Sequence, residues 1–157
     1  LDAALLSRPP AIGYHEASSR REETAAKESR VAKQTKILVV DDEPTICSLM
    51  KVFLSQHGYL VHTANCGEDA LLVFAKSTPD IVLLDISMPG MRGIDVLKRI
   101  KAQKSSCGVI MLSAYGDDET IQEAIDLGAF CYIQKPMELV ELRGRLEELQ
   151  QSLQEVA

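Results

Sequence analysis

No two cysteines of this chain stand at the C-x-x-C spacing of a metal-thiolate or redox pair, and no block of basic residues forms a phosphate-binding stripe. No apolar run approaches the roughly 20 residues that a membrane span needs. The Gly-x-Gly-x-x-Gly fingerprint of a dinucleotide site is missing after every apolar run, and so is the acidic loop of an EF-hand. Internal repeats and low-complexity tracts are absent too. The four cysteines, Cys47, Cys66, Cys107 and Cys131, are widely spaced in or beside predicted helices and strands. They read as reduced thiols of a cytosolic protein, because disulfide scaffolds are smaller and denser in cysteine. A net charge of -6 without a basic block gives this segment no direct grip on nucleic acid. The chain begins at Leu1 without a basic and apolar leader, so it reads as a fragment or processed piece and not a secretory precursor.

What is present is enough for one well-buried core with tails: 157 residues, of which 46% are hydrophobic. Residues 1–35 form a linker or tail. Pro9, Pro10 and Gly13 break any early helix, and the stretch from Glu16 to Lys36 has Val31 as its only large aliphatic residue. The dipeptide His15-Glu16 invites comparison with a phosphorylatable histidine, but its flanks lack the long amphipathic helix such a residue sits on. It reads as an exposed loop histidine.

From Lys36 onward short apolar runs alternate with helical periodicity, the pattern of repeated βα units. Ile46, Leu49, Met50, Phe53 and Leu54 make one helical face behind Pro44, a proline placed where a first helical turn tolerates it. Ala70, Leu71 and Phe74 mark a second helix, Ile94, Leu97 and Ile100 a third, and Ile121, Ala124 and Ile125 a fourth that Gly128 stops. Leu139 opens a fifth. Tyr59 to Thr63 is the most mixed strand and is expected at an edge. The fold expected is α/β: a flavodoxin-like, doubly wound, five-stranded parallel sheet in the order 2-1-3-4-5 with five helices, spanning 36–149. Residues 150–157 extend the fifth helix.

Right-handed crossovers bring the strand ends to one side of such a sheet, where ligands bind. Asp41 and Asp42 close Ile37-Leu38-Val39-Val40, Asp85 closes Ile81-Val82-Leu83-Leu84, Ser113 closes Val109-Ile110-Met111-Leu112, and Lys135 follows Phe130-Cys131-Tyr132-Ile133. Carboxylates about 5 Å apart repel by roughly 3 kcal/mol per pair at an effective dielectric near 20, so three together call for a cation. All-oxygen ligands with room for water and phosphate oxygens suit Mg²⁺. Helix capping explains Asp41 or Asp42 alone but not the joint placement of Asp85, Ser113 and Lys135. Such a pocket suits phosphoryl transfer, with Asp85 as a carboxylate nucleophile and Lys135 neutralising charge on the equatorial oxygens. Pro136 constrains the backbone after Lys135 and makes a cis bond accessible there.

The stretches Ile37-Leu38-Val39-Val40-Asp41-Asp42-Glu43, Asp85-Ile86-Ser87-Met88-Pro89-Gly90, Ser113-Ala114 and Tyr132-Ile133-Gln134-Lys135-Pro136, in this order and at these separations, resemble a response-regulator receiver domain of two-component signalling. The resemblance implies that Asp85 is the phosphoacceptor and that Asp42 and Asp85 bind Mg²⁺ directly with the Ser87 carbonyl. Asp41 acts largely through metal-bound water. Ser113 and Lys135 hold the phosphoryl oxygens, helped by the Ala114 amide, and Tyr132 is the switch aromatic. Ser113 replaces the family's frequent threonine and lacks its methyl. Ser87 and Tyr115 flank the pocket without an acid or amide to position water, which implies slow self-dephosphorylation.

The implied function is a cytoplasmic phosphorylation switch without membrane contact and not a conventional turnover enzyme. It is charged by a histidine kinase or phosphotransfer domain and changes partner preference through the fourth helix, fifth strand and fifth helix. The linker fits a place behind another domain, as in a hybrid kinase. Two other classes stay open: a flavin or nucleotide module, and an aspartyl-nucleophile phosphatase. The first lacks a phosphate loop after the first strand, and the second lacks Asp-x-Asp there. Finally, Leu139, Leu142, Leu146, Leu149, Leu153 and Val156 alternate spacings of three and four. The first of these pack the fifth helix on the sheet. Beyond Glu147 the domain has little surface left, so Leu149, Leu153 and Val156 are expected exposed and to support a weak, phosphorylation-enhanced homodimer. Gly144 and a length under three heptads weaken it.

Overall fold

The structure is a computed structural model and describes residues 33–156. Residues 1–32 of the expected linker, with His15 and Glu16, lie outside the described residues. The elements alternate as anticipated: β1 (Lys36–Val40), α1 (Pro44–Gln56), β2 (Leu60–Ala64), α2 (Gly67–Ser77), β3 (Ile81–Asp85), α3 (Gly93–Gln103), β4 (Gly108–Ser113), α4 (Asp118–Asp126), β5 (Cys131–Gln134) and α5 (Leu139–Val156). All strand pairs are parallel and the order is β2-β1-β3-β4-β5.

The strands read as unbroken apolar runs because both faces of the sheet are covered, and their period of two divides them between the faces. Leu38, Val40, Val82, Leu84, Val109 and Met111 point to the layer that holds Phe74 of α2, Leu97 of α3 and Ala124 of α4. Ile37, Val39, Ile81, Leu83, Ile110 and Leu112 point to the other, against Met50 and Leu54 of α1 and Leu142 and Leu146 of α5. The mixed strand is indeed an edge: in β2 only Val61 and Ala64 are buried, while Leu60 is exposed. Proline opens α1 as expected, and α4 is capped by Asp117, whose carboxylate accepts the Thr120 amide at 2.7 Å. None of the described cysteines is paired.

The leucine stripe of α5 departs from expectation. Leu149 is buried and Leu153 half-buried against the layer of α1, and only Val156, at 86% exposure, stands free. The reason lies at the start of β4. Gly108 carries no side chain, and a Cβ there would fall 2.7 Å from Leu149 Cδ1, so the glycine makes the seat in which the leucine lies. Past Leu149 the helix is still tied to the domain, since Gln150 accepts the Tyr59 hydroxyl and donates to Thr35 Oγ1. Leu149 and Leu153 therefore give no exposed apolar stripe on which the homodimer argument can rest.

A second glycine fixes the approach of α3 to β3. A Cβ on Gly93 would lie 2.1 Å from the Asp85 carbonyl oxygen and 2.8 Å from Ile86 Cα, both backbone atoms, and the Gly93 amide donates to the Ile86 carbonyl at 3.1 Å. Backbone cannot step aside as a side chain can. Gly93→Ala should therefore destabilise the protein by about 3 kcal/mol or more, whereas Gly108→Ala, which meets only the flexible end of Leu149, should lose about 1 to 3 kcal/mol. Urea unfolding followed by circular dichroism ranks the two; equal losses would contradict this account of α3.

Candidate functional site

The carboxyl ends of β1, β3, β4 and β5 meet at one edge of the sheet, and the polar residues that close those runs meet with them. Asp85 ends β3 and Ser113 ends β4, while Asp41 follows β1 and Lys135 follows β5. Asp41, Asp85 and Ser113 are the only buried residues of polar or charged type among those described. Asp42, one residue past Asp41, is exposed, yet one oxygen from each of Asp41, Asp42 and Asp85 lies within 4.8 Å of the others.

Lys135 organises the acids. Its Nζ donates to Asp41 Oδ2 and, at 3.2 Å, to Asp85 Oδ2. The peptide bond to Pro136 is cis, in line with the sequence reading. The far oxygens of the two acids are held by main-chain amides two residues on: Glu43 N–H donates to Asp41 Oδ1 at 2.9 Å and Ser87 N–H to Asp85 Oδ1 at 3.0 Å. Both turns thus fix one oxygen of each carboxylate, and Lys135 engages the other.

The Ser113 hydroxyl is occupied in this structure. It donates to the Tyr115 carbonyl at 2.8 Å, accepts the Tyr115 amide at 3.1 Å, and lies 3.4 Å from the Ser87 hydroxyl. Tyr132 is half-buried against the α2, α3 and α4 layer, and its hydroxyl donates to the Ser113 carbonyl at 3.3 Å. Ala114 is exposed and, with Lys135, Tyr115, Ile46, Leu49 and Met137, lines a groove of about 510 Å³ beside the acids. Asp41, Asp42, Asp85, Ser87, Ser113, Ala114, Tyr132 and Lys135 are thus gathered at or beside this one edge.

Two residues escaped the sequence reading. Asn65 Nδ2 donates to the Asp41 carbonyl at 3.1 Å and also touches Cys47 Sγ, whose thiol points at the same carbonyl. Together they brace the backbone of the first acid. The one available signal for Asn65 is its position directly after β2, and Cys47 carries no signal in the sequence beyond being one of four widely spaced thiols.

Burial raises the pKa of Asp85, and the negative charge of Asp41 raises it further; the Ser87 amide and the Lys135 ammonium oppose the shift without cancelling it. For Lys135 burial works against the charged form, but the hydrogen bond to Asp41 and the charges of Asp85 and Asp41 outweigh it, and its pKa is raised. Burial and then the charge of Asp41 push the Cys47 thiol up, so it stays protonated. Three carboxylates against one ammonium leave an excess of two negative charges. The donor set is all oxygen, which fits a hard divalent cation and not a thiolate or imidazole metal.

No helix among the described residues is long and apolar enough to cross a membrane. The family model for the response regulator receiver domain matches residues 37–147. The chain is 40% identical over 113 residues to sporulation initiation phosphotransferase F of Bacillus subtilis, covering 72% of this chain and 91% of that protein. It is 42% identical over 107 residues to the regulatory protein AtoC of Escherichia coli, covering 68% of this chain but 23% of that one. Against the transcriptional regulatory protein KdpE of Mycobacterium tuberculosis the identity is 41% over 112 residues, 71% of this chain and 49% of the relative, so the chain spans half or less of these two longer regulators. Among solved structures, a CheY-like receiver domain of Methanospirillum hungatei superimposes with a TM-score of 0.78 at 26% identity, over 80% of this chain and all of that one. A receiver domain of Clostridium thermocellum gives 0.75 at 32% identity, over 78% and 99%. With the doubly wound sheet and the acids, serine and lysine at its carboxyl edge, these matches identify the chain as a member of the response regulator receiver domain family.

Proposed function

We propose that this chain accepts a phosphoryl group on Asp85 from a phosphohistidine of a histidine kinase or phosphotransfer domain and thereby changes its partner preference. The observation that carries the reading is the placement of Lys135, whose single ammonium spans Asp41 and Asp85 at the open edge of the sheet. An Asp85 carboxylate oxygen attacks phosphorus, the P–N bond breaks, and the imidazole nitrogen leaves with the bonding pair and takes up a proton. Burial leaves the attacking carboxylate poorly hydrated, and the Ser87 amide keeps its other oxygen in place. Mg²⁺ held by Asp42, Asp85 and the Ser87 carbonyl, with Asp41 through water, would neutralise the excess acid charge and that of the incoming phosphoryl group. Lys135 turns from Asp41 toward a phosphoryl oxygen, and Ser113 exchanges the Tyr115 carbonyl for another, with the Ala114 amide beside it.

The same edge argues against a nucleotide module, since Asp41 and Asp42 stand where a phosphate loop would lie and repel phosphate. Ser87 and Tyr115 carry no acid or amide to orient water, so the aspartyl phosphate decays slowly and the protein acts as a switch, not a turnover enzyme. We place it in the cytoplasm, where kinases present phosphohistidine, and assign this acidic segment no direct contact with nucleic acid or membrane.

Phosphoramidate with Mg²⁺ should place one phosphate on the wild-type protein, read by intact mass. Asp85→Asn, or excess EDTA, should prevent it, and labelling of Asp85→Asn at the wild-type rate would refute the assignment. Lys135→Ala should slow the reaction by about 30- to 150-fold, the equivalent of roughly 2 to 3 kcal/mol for a lost charge-assisted contact.

Metal-free stability against pH tests the electrostatics. A raised acid pKa favours the folded state below the ordinary value of 3.8 and loses that advantage as pH rises through the folded value. Asp85 thus burdens the fold at neutral pH, and Asp85→Asn should raise the melting temperature there. Lys135, with its pKa raised, contributes stability that is complete below 10.5 and is lost as pH rises through its folded value. The stability difference between wild type and Lys135→Met should therefore shrink in alkaline buffer as Lys135 loses its proton, and again in acid as Asp85 gains one. A difference that stayed constant into strongly alkaline buffer would count against this pairing.

A further inference from the structure

One residue beside the site has no role in the account so far. Gly116 sits in the loop between β4 and α4, three residues past Ser113. Its φ lies outside the left-handed region that Gly58, Gly90 and Gly128 occupy, so its backbone does not require glycine. Space does. A Cβ at Gly116 would meet the Tyr132 hydroxyl at 3.0 Å and the Ile121 side chain at 3.1 Å, tighter than side chains normally approach.

The hydroxyl that uses this space makes a specific contact. Tyr132 Oη donates to the main-chain carbonyl of Ser113 at 3.3 Å, and the same carbonyl accepts the Lys135 amide at 2.8 Å. One oxygen therefore joins the tyrosine to the two residues that stand over Asp85, with each donor taking one lone pair. The Lys135 amide bond continues the β4–β5 pairing, whose last register pair is Ser113 with Gln134. The ring of Tyr132 is thereby tied to the backbone from which both phosphoryl-binding side chains project.

We propose that Gly116 is a positioning residue for Ser113 and Lys135: its missing side chain admits the Tyr132 hydroxyl to the Ser113 carbonyl, and that contact sets the Ser113–Lys135 edge for phosphoryl transfer. The inference rests on the reading above, in which Ser113 and Lys135 hold the phosphoryl group. Alanine at 116 makes the hydroxyl give by a few tenths of an ångström and stretches a bond already 3.3 Å long, and phenylalanine at 132 removes the hydroxyl, so the two changes weaken one contact by different routes. Their effects must then overlap and not add.

The test uses Gly116→Ala, Tyr132→Phe and the double variant of the full chain. In the unphosphorylated proteins, ¹⁵N NMR should show the Lys135 amide moving the same way in both single variants, with no further move in the double. With phosphoramidate and Mg²⁺, each single variant should label Asp85 about two- to tenfold more slowly, the range of one neutral hydrogen bond, and the double should be no slower than Tyr132→Phe. A wild-type Lys135 amide and rate in Gly116→Ala, or two effects that multiply, would overturn the proposal. Should Gly116→Ala lose its fold, Tyr132→Phe decides alone: an unmoved Lys135 amide or an unchanged rate overturns it. The site reading fails separately, through wild type that takes no label on Asp85, and the amide measurement still reports whether the contact exists.

Discussion

The Lys135 ammonium between Asp41 and Asp85 is the contact on which the rest of the site depends. Without it two buried carboxylates would face each other in a cleft that also contains Asp42, with no cation of the chain between them. A buried ion pair of this kind is a poor source of stability, because desolvation consumes most of its Coulomb energy. At Asp85 burial and the charge of Asp41 outweigh the lysine and the Ser87 amide, and its pKa is raised. An apolar cluster would serve the fold better. What the charged arrangement provides is a buried, poorly hydrated carboxylate next to a cation, the pair to which the proposed phosphoryl transfer assigns nucleophile and charge partner.

Everything else positions that triad. Parallel β1, β3, β4 and β5 deliver their polar ends to one edge because each crossover returns the chain to the same side of the sheet. Gly93 lets α3 lie against the backbone at Asp85, and Asn65 with Cys47 braces the carbonyl of Asp41. The Ser113 hydroxyl is engaged by the Tyr115 backbone through two hydrogen bonds, and reaching a phosphoryl oxygen requires giving up at least the one it donates. The loop from Ala114 to Gly116 is thus the element that phosphorylation would move, and Tyr132 is the aromatic joined to it.

The strands, the helices and their order were legible because a sheet buried on both faces produces apolar runs, and those runs end where the chemistry begins. Asp41, Asp85, Ser113 and Lys135 could be named for that reason. Contacts that depend on a missing side chain were not legible. Leu149 lies beyond the expected end of the sheet and is buried because Gly108 leaves room for it, and Gly116 is silent in sequence because the role proposed for it is the space it leaves. Asn65 and Cys47 share that obscurity, since both act on a backbone carbonyl that no side-chain pattern reveals.

The measurement that bears most directly on the central claim is a crystal structure of the protein with Mg²⁺ and beryllofluoride, a stand-in for the phosphoryl group. The account predicts the fluoride on Asp85, Lys135 Nζ withdrawn from Asp41 onto one fluorine, and Ser113 Oγ released from the Tyr115 carbonyl onto another. Beryllofluoride on a different residue, or bound at Asp85 with Lys135 still on Asp41 and Ser113 still on Tyr115, would contradict it.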